Sequence, residues 1–436
     1  MSNAVQGSLA LPHTTADGRF VLLRALGAGA AARVFQAVDP RSGQQVALKV
    51  FHRHASSGAG GSAASSEFAA YRALGAVRPR ESNSSGGSDG GSDGGSEAEQ
   101  HGIPAAYEHG LLALDGAPSA PMQLPFLSMS LLGPDLYSLA EAGAFSRDAA
   151  GRRRLAAAGL GVLRALEYMH SHGIVHGDVK PGECKNIVAS TDWAPDGDGS
   201  DQEELEPSFF VIDLGGAVRT RAGAGRSGGG GDSGAGAGGR APWVTPAFAS
   251  AASLRGEPPA PADDAEALLT VMLWLATGQL PWEDFLTTPE RAWRGGGGGW
   301  SARQLAAMAD AKERAWRQQI EEGNPSLMPS FVADAYGYLS SAGRRGGALD
   351  YARLRAALAA AADASDAGSA AWQARAAARK RRRAGAAGSG GGGSGGGGGG
   401  AAAARRRAGK APRRASSGAA GACDGLFQFS GGAGEE

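Results

Sequence analysis

Gly173-Ile174-Val175-His176-Gly177-Asp178-Val179-Lys180-Pro181 is the stretch whose reading decides the fold. An apolar pair runs into a His-Gly-Asp turn, and a carboxylate (Asp178) and an ammonium (Lys180) then sit two residues apart in one short loop. That pairing suits transfer of a phosphoryl group, which asks little covalent chemistry of a protein. A carboxylate orients the attacking hydroxyl, and cations hold the phosphate oxygens. His-Gly-Asp alone occurs in loops by chance, so its companions and their order must support the reading.

The companions are present in order. Upstream, Leu26-Gly27-Ala28-Gly29-Ala30-Ala31-Ala32-Arg33-Val34 is a Gly-x-Gly-x-x-x-x-Val run. Gly27 and Gly29 lack a Cβ and would let a strand–turn–strand approach phosphates closely. Ala32 stands where a third glycine is usual, and a plain flexible turn competes for this piece taken singly. Val46-Ala47-Leu48-Lys49 follows, twelve residues after Val34, and at that spacing Lys49 suits the α- and β-phosphates of a nucleotide. Glu67 in Glu67-Phe68-Ala69-Ala70-Tyr71-Arg72-Ala73-Leu74 opens a helical apolar pattern and is the carboxylate expected to partner Lys49. Downstream, the apolar run Phe209-Phe210-Val211-Ile212 ends in Asp213-Leu214-Gly215, 35 positions past Asp178. Asp213 there is a candidate Mg²⁺ ligand.

With these motifs the chain resembles a eukaryotic protein kinase of the casein kinase I group, and within it a vaccinia-related kinase. Group-level matches are Glu67-x-x-x-Tyr71-Arg72-Ala73-Leu74, Gly102-Ile103-Pro104, Met129-Ser130-Leu131-Leu132-Gly133-Pro134-Asp135-Leu136 and Asp350-Tyr351-Ala352-Arg353-Leu354-Arg355. His176-Gly177-Asp178, in place of His-Arg-Asp, and Leu280-Pro281-Trp282-Glu283-Asp284 favour the vaccinia-related branch. The resemblance covers roughly residues 15–362.

The resemblance implies an α+β, two-lobed kinase fold: a 1–14 extension, then a kinase domain over 15–366. A small β-rich lobe would span about 15–132 and a larger helical lobe about 133–366. ATP and Mg²⁺ would be the cofactors and protein Ser/Thr hydroxyls, on casein-like or chromatin proteins, the acceptors. Asp178, Lys180 and Thr245 would be catalytic. Gly27, Gly29, Val34, Ala47, Lys49, Glu67, Met129 and Leu132 would line the nucleotide site, with Met129 at the gatekeeper position. Asp213 and Asn186 would bind metal, and Asp264 would hold the catalytic-loop backbone. A monomer is expected.

Three departures bear on mechanism. Gly177 replaces the Arg that pairs with a phosphorylated loop in many kinases, which removes the local anchor for that switch. Glu183 stands five residues after Asp178, where a metal-binding Asn is expected, and Asn186 follows three residues later. Three readings of Gly182-Glu183-Cys184 stand open: a bulge that still delivers Asn186, a mispredicted splice junction, or a damaged metal site. Asn186 as ligand is the preferred one. No Ala-Pro-Glu motif occurs; Thr245-Pro246-Ala247-Phe248-Ala249-Ser250 resembles this branch's substrate-binding loop instead.

Composition adds boundaries. A 42% hydrophobic content suffices for a large core, and two cysteines, Cys184 and Cys423, exclude a disulfide scaffold or a four-cysteine zinc site. The N-terminus has no signal-peptide pattern. The apolar run Ala267–Ala276 is too short to span a bilayer and apolar around its circumference, so it reads as a buried helix. Leu155, Gly159, Leu163, Leu166 and His170 share one helical face. Insertions near 82–96, 192–206, 222–239 and 295–299 are rich in Gly, Ser or charge, compositions that do not build a core. Asp196-Gly197-Asp198-Gly199-Ser200 fails as a calcium loop because Asp201 and Pro207 occupy its sixth and twelfth positions.

Residues 367–436 read as a disordered basic tail. From Gly368 onward the chain carries +9, against −9 before it. Arg379-Lys380-Arg381-Arg382-Arg383 and Arg405-Arg406-Arg407 suit nuclear import or nonspecific nucleic-acid contact. A nuclear or cytoplasmic location is therefore expected. The competing functional class is a pseudokinase scaffold that uses the fold and tail to bind partners.

Overall fold

Alternating apolar residues near the N-terminus pair into one antiparallel sheet. It is seen in a computed structural model that describes residues 11–29, 31–52, 63–79, 96–114, 122–181, 186–193, 208–220, 245–283, 300–322, 329–342 and 348–362. The strands are β1 (His13–Thr14), β2 (Val21–Ala28), β3 (Ala32–Val38), β4 (Gln45–Phe51), β5 (Ala106–Leu114) and β6 (Met122–Ser130), in spatial order β1-β2-β3-β4-β6-β5. The sheet thus begins at His13, inside the segment read as an extension. After the first helix, β5 and β6 form an antiparallel pair.

The period-2 alternation of β4 divides its side chains between two cores. Val46, Leu48 and Val50 join Phe20, Leu22, Phe35 and Phe126 on one face. Ala47 and Phe51 join the larger core on the other, which puts Lys49 on that second face. Against it lies α1 (Ala63–Ala73), whose buried Ala64, Glu67, Phe68 and Tyr71 follow helical i, i+3, i+4, i+7 spacing. Glu67 therefore lies mid-helix and is fully buried, so it is not an ordinary helix-start carboxylate. A one-turn helix, α2 (Glu97–Gln100), is closed by a capping box between Ser96 and Glu99.

Beyond Ser130 the described residues are mostly helical. Asp135 caps α3 (Leu136–Glu141) by accepting from Ser138 N at 2.9 Å, and Asp148 caps α4 (Ala149–Ser171) through Gly151 N at 2.7 Å. As expected, Leu155, Leu163 and Leu166 on α4 are buried. After α5 (Ala251–Leu254) comes α6 (Pro261–Thr277), in which every residue from Asp263 to Thr277 is buried, as its all-round apolar pattern requires. α7 (Ala302–Glu322), α8 (Ser330–Ala342) and α9 (Tyr351–Ala359) complete it. Trp316 of α7 stacks on Tyr336 of α8 with centroids 4.1 Å apart.

Two small hairpins carry the loops of interest: β7 (Ile174–Val175) with β10 (Val218–Arg219), and β8 (Ile187–Ala189) with β9 (Phe209–Val211). No helix among the described residues is long and apolar enough to cross a membrane. Gly182–Lys185, the tail, both cysteines, the 222–239 and 295–299 insertions and nearly all of the other two lie outside the described residues.

Gly133 makes one close approach between segments. Its N–H donates to Ala189 O at 2.9 Å, and a Cβ there would lie 2.3 Å from Ser190 O. At Gly159 an added Cβ meets only side-chain ends, the flexible tip of Met272 at 2.8 Å and Leu358 Cδ2 at 3.4 Å. Gly133→Ala should therefore cost about 1–3 kcal/mol of stability and Gly159→Ala distinctly less, as measured by thermal unfolding of the two variants.

Candidate active site

Sheet register aligns the first group of residues. Gly27 pairs with Val34, Val34 with Lys49, and Ala47 with Met129, so these positions run across three neighbouring strand pairs. Gly29 N–H donates to Ala32 O at 2.8 Å and closes the turn between β2 and β3; Ala30 lies outside the described residues. Met129 is buried near the end of β6, with Leu132 just past it.

Lys49 meets two carboxylates. Its Nζ donates to Glu67 Oε2 at 2.7 Å and to Asp213 Oδ1 at 2.6 Å. Burial alone would lower the Lys49 pKa, but Glu67 and Asp213 outweigh it and hold the ammonium above the ordinary lysine range. Burial pushes Glu67 up to about 6 against the opposing pull of Lys49. Burial also acts to raise Asp213, but the charge and hydrogen bond of Lys49 hold it below the usual carboxylate range. Asp213 is the sole non-glycine residue with positive φ (66°) among those described. That left-handed backbone costs on the order of 1–3 kcal/mol and re-aims the carboxylate as the chain leaves β9.

The second cluster surrounds Asp178. Lys180 Nζ donates to Asp178 Oδ2 at 2.5 Å and to Thr245 Oγ1 at 2.7 Å. Thr245 Oγ1 in turn donates to Asp178 Oδ1 at 2.9 Å. Asn186 Nδ2 donates to Asp178 O at 2.8 Å, and Asn186 O accepts from Ile212 N at 3.0 Å. The last bond continues the β8–β9 ladder and sets Asn186 beside the residue preceding Asp213. Four of the five metal and catalytic candidates, Asp178, Lys180, Asn186 and Asp213, are thus carried by adjacent segments, and Thr245 joins them through its bonds to Asp178 and Lys180.

One buried carboxylate holds the loop under this cluster. Asp264 Oδ2 accepts from His176 N at 2.7 Å and Oδ1 from Gly177 N at 2.8 Å. A carboxylate only accepts, so His170 Nε2, at 2.8 Å from Asp264 Oδ2, donates; the ring's Nδ1 meets the Tyr351 hydroxyl at 2.6 Å. Burial acts to raise the Asp264 pKa, yet these donors, His170 foremost, hold it below the ordinary value. Asp178 N donates to His176 Nδ1 at 3.2 Å, which puts the ring proton on Nε2 to donate to Ile212 O at 3.0 Å. Gly177 has φ +78°, a backbone that a Cβ-bearing Arg adopts only with strain.

Asn186 Oδ1 is buried with no hydrogen-bond partner among the described residues, which leaves an acceptor open to a hard cation. No cluster of three or more His, Cys, Asp or Glu suited to metal occurs among the described residues. Asp213 and Asn186 fit Mg²⁺ of the kind that takes one or two protein ligands and completes its shell with water and phosphate. Chemically, the arrangement supplies one oriented carboxylate, two lysines and a two-ligand oxygen set.

Some contacts were not legible beforehand. The sequence places His170 only on a helix face; its position in the last turn of α4 is the available signal for a polar role. Lys312, on α7, carried no signal in the sequence.

No protein-family model matches the chain. Over 186 residues, 42% of this chain, it is 28% identical to a casein kinase 1-like protein, HD16, of Oryza sativa subsp. japonica. The match covers 22% of that protein, so the chain spans about a fifth of its relative's length.

Asp264→Asn would turn an acceptor toward donors it cannot satisfy. We expect a loss of roughly 2–4 kcal/mol, read by denaturant unfolding at neutral pH. The native pKa of Asp264 is depressed, so its contribution is full above the unfolded value of 3.8 and fades as pH falls through the native value. The stability gap between parent and variant should therefore narrow in acid.

Proposed function

We propose that this chain is a two-lobed serine/threonine protein kinase of the vaccinia-related branch, which transfers the γ-phosphate of ATP to protein hydroxyls. The observation that carries this reading is Lys49 bonded at once to Glu67 and Asp213, 18 and 164 residues away in sequence. A structural lysine at a strand end has no need of two carboxylates from a distant helix and a distant turn.

The roles are those the family resemblance implies, and the bonds of Lys49 and Asp178 support them. Gly27 and Gly29 leave room over the phosphates, Val34, Ala47, Met129 and Leu132 border the adenine, and Lys49 grips the α- and β-phosphates while Glu67 holds it in place. Asp213 and Asn186 would hold Mg²⁺, which would supply positive charge to offset that of the phosphate oxygens. Asp178 Oδ1 accepts a single bond, from Thr245, and so retains a lone pair for the substrate hydroxyl. That oxygen orients the hydroxyl and takes its proton as the new oxygen–phosphorus bond forms and the bond from the γ-phosphorus to the bridging oxygen breaks, releasing ADP. Lys180 lies one bond from Asp178 and offsets charge on the transferred group.

The vaccinia-related assignment draws on His176-Gly177-Asp178 and on Leu280-Pro281-Trp282, and an uncharged Gly177 suits an enzyme that needs no phosphorylated loop. Nuclear or chromatin proteins as substrates, a monomeric state and nuclear import through the basic tail belong to the same proposal. The tail's +9 is its support.

Asp178→Asn should reduce phosphate transfer to casein or histone by about 10²–10⁴-fold while ATP binding, measured by calorimetry, stays near the parent's. Equal transfer by the two proteins removes Asp178 from the chemistry, and a parent that binds ATP without transferring phosphate is a pseudokinase. Removing residues 368–436 should leave transfer to a short peptide within about twofold while shifting the protein from nucleus to cytoplasm and weakening salt-sensitive DNA binding. A truncated chain that stays nuclear rejects the import role.

A further inference from the structure

Lys312 on α7 is fully buried, yet none of the roles above uses it. An ammonium withdrawn from water costs several kcal/mol unless its donors are met. Its Nζ donates to Ala247 O at 3.2 Å and, by a shorter bond, to Ala249 O. It also lies 4.7 Å above the Trp282 ring, in cation–π geometry. Trp282 Nε1 donates to the same Ala247 O at 2.9 Å.

Both carbonyls belong to the turn that begins at Thr245. Phe248 N and Ala249 N each donate to Thr245 O at 3.0 Å, so the turn is closed on itself at one end and clamped by Lys312 and Trp282 at the other. Its next residue, Ser250, caps α5 and donates to Asp263 Oδ1 at 2.7 Å, while Ala251 N donates to Glu266 Oε1 at 3.0 Å. Thr245 itself bridges Asp178 and Lys180. The clamp therefore fixes the turn whose first residue bonds the oxygen that would meet an acceptor hydroxyl.

We propose that Lys312 is a positioning residue whose ammonium locks the 245–249 turn and so sets where the acceptor segment of a protein substrate docks beside Asp178. This rests on the kinase reading. Burial pushes the Lys312 ammonium down to about 7, against the attraction of Glu266. Other charged groups on the surrounding elements are Asp263 on α6, Arg255 after α5, which pairs with Asp310 and Glu313 of α7, and the exposed Asp334 on α8. Below about 7 the clamp is charged; as pH rises through that value it loses its proton and its bonds to the two carbonyls weaken.

The test compares the full chain with Lys312→Met and Lys312→Arg. Casein phosphorylation would be measured from pH 6 to 9, and hydrogen exchange would be followed over residues 245–251. Lys312→Met should raise KM for casein about tenfold, leave KM for ATP within about twofold, and speed exchange in the turn. Lys312→Arg keeps a charge at every pH. It should recover most of the casein KM and abolish the parent's loss of casein kcat/KM above pH 7. If Lys312→Met matches the parent in casein KM and in exchange, or if both substitutions give one pH profile, the proposal is overturned. Should Lys312→Met fail to fold, the pH profile and exchange of Lys312→Arg decide alone. A parent that transfers no phosphate rejects the kinase reading, and the exchange comparison still judges the clamp.

Discussion

The carboxylate of Asp264 is the constraint on which the rest of the site depends. It sits near the start of α6, a helix buried along almost its whole length, and receives hydrogen bonds from His176 N, Gly177 N and His170. A buried carboxylate with too few donors is costly, so the loop backbone is drawn to it and held there. From that anchor the order passes outward. His176 fixes Asp178 N and Ile212 O, Asp178 fixes Lys180 and Thr245, and Ile212 leads into Asp213.

Around the anchor, charge is concentrated where water is scarce. Lys49 shares its ammonium between a fully buried Glu67 and a partly exposed Asp213. Removing one partner of such a buried pair is far more damaging than removing an exposed one, because the charge left behind has lost its solvent. This arrangement joins β4, α1 and the segment after β9 through one atom. A shift of α1 would therefore withdraw Glu67 and leave Lys49 bonded to Asp213 alone.

The turn at 245–249 follows the same logic with the sign reversed. There a buried ammonium, not a carboxylate, organises backbone, and it does so through carbonyl oxygens and an aromatic face. The two anchors reach Asp178 through different segments. One holds the loop that carries the carboxylate, and the other holds the turn that carries Thr245.

Taken alone, the sequence determined which residues have the chemistry. Asp178 and Lys180 declare themselves by spacing within a loop, Asp213 by following a buried strand, and Lys49 by following a glycine run. Local order is enough for these, because strand alternation and turn composition act over a few residues. Asp264 was legible only through the family resemblance, which implies a loop-holding Asp just before the apolar helix. Asn186 was legible only as one of three readings, since its distance from Asp178 breaks the expected count. What the tertiary structure decided was partnership. The β8–β9 ladder brings Asn186 to the segment of Asp213, α1 carries Glu67 to Lys49, and α7 carries Lys312 to Ala247 and Ala249. The β5–β6 pairing and the role of His170 were likewise settled by neighbours distant in sequence. A side chain's charge is local, but the desolvation that makes a charge demand partners exists only once the chain has closed around it.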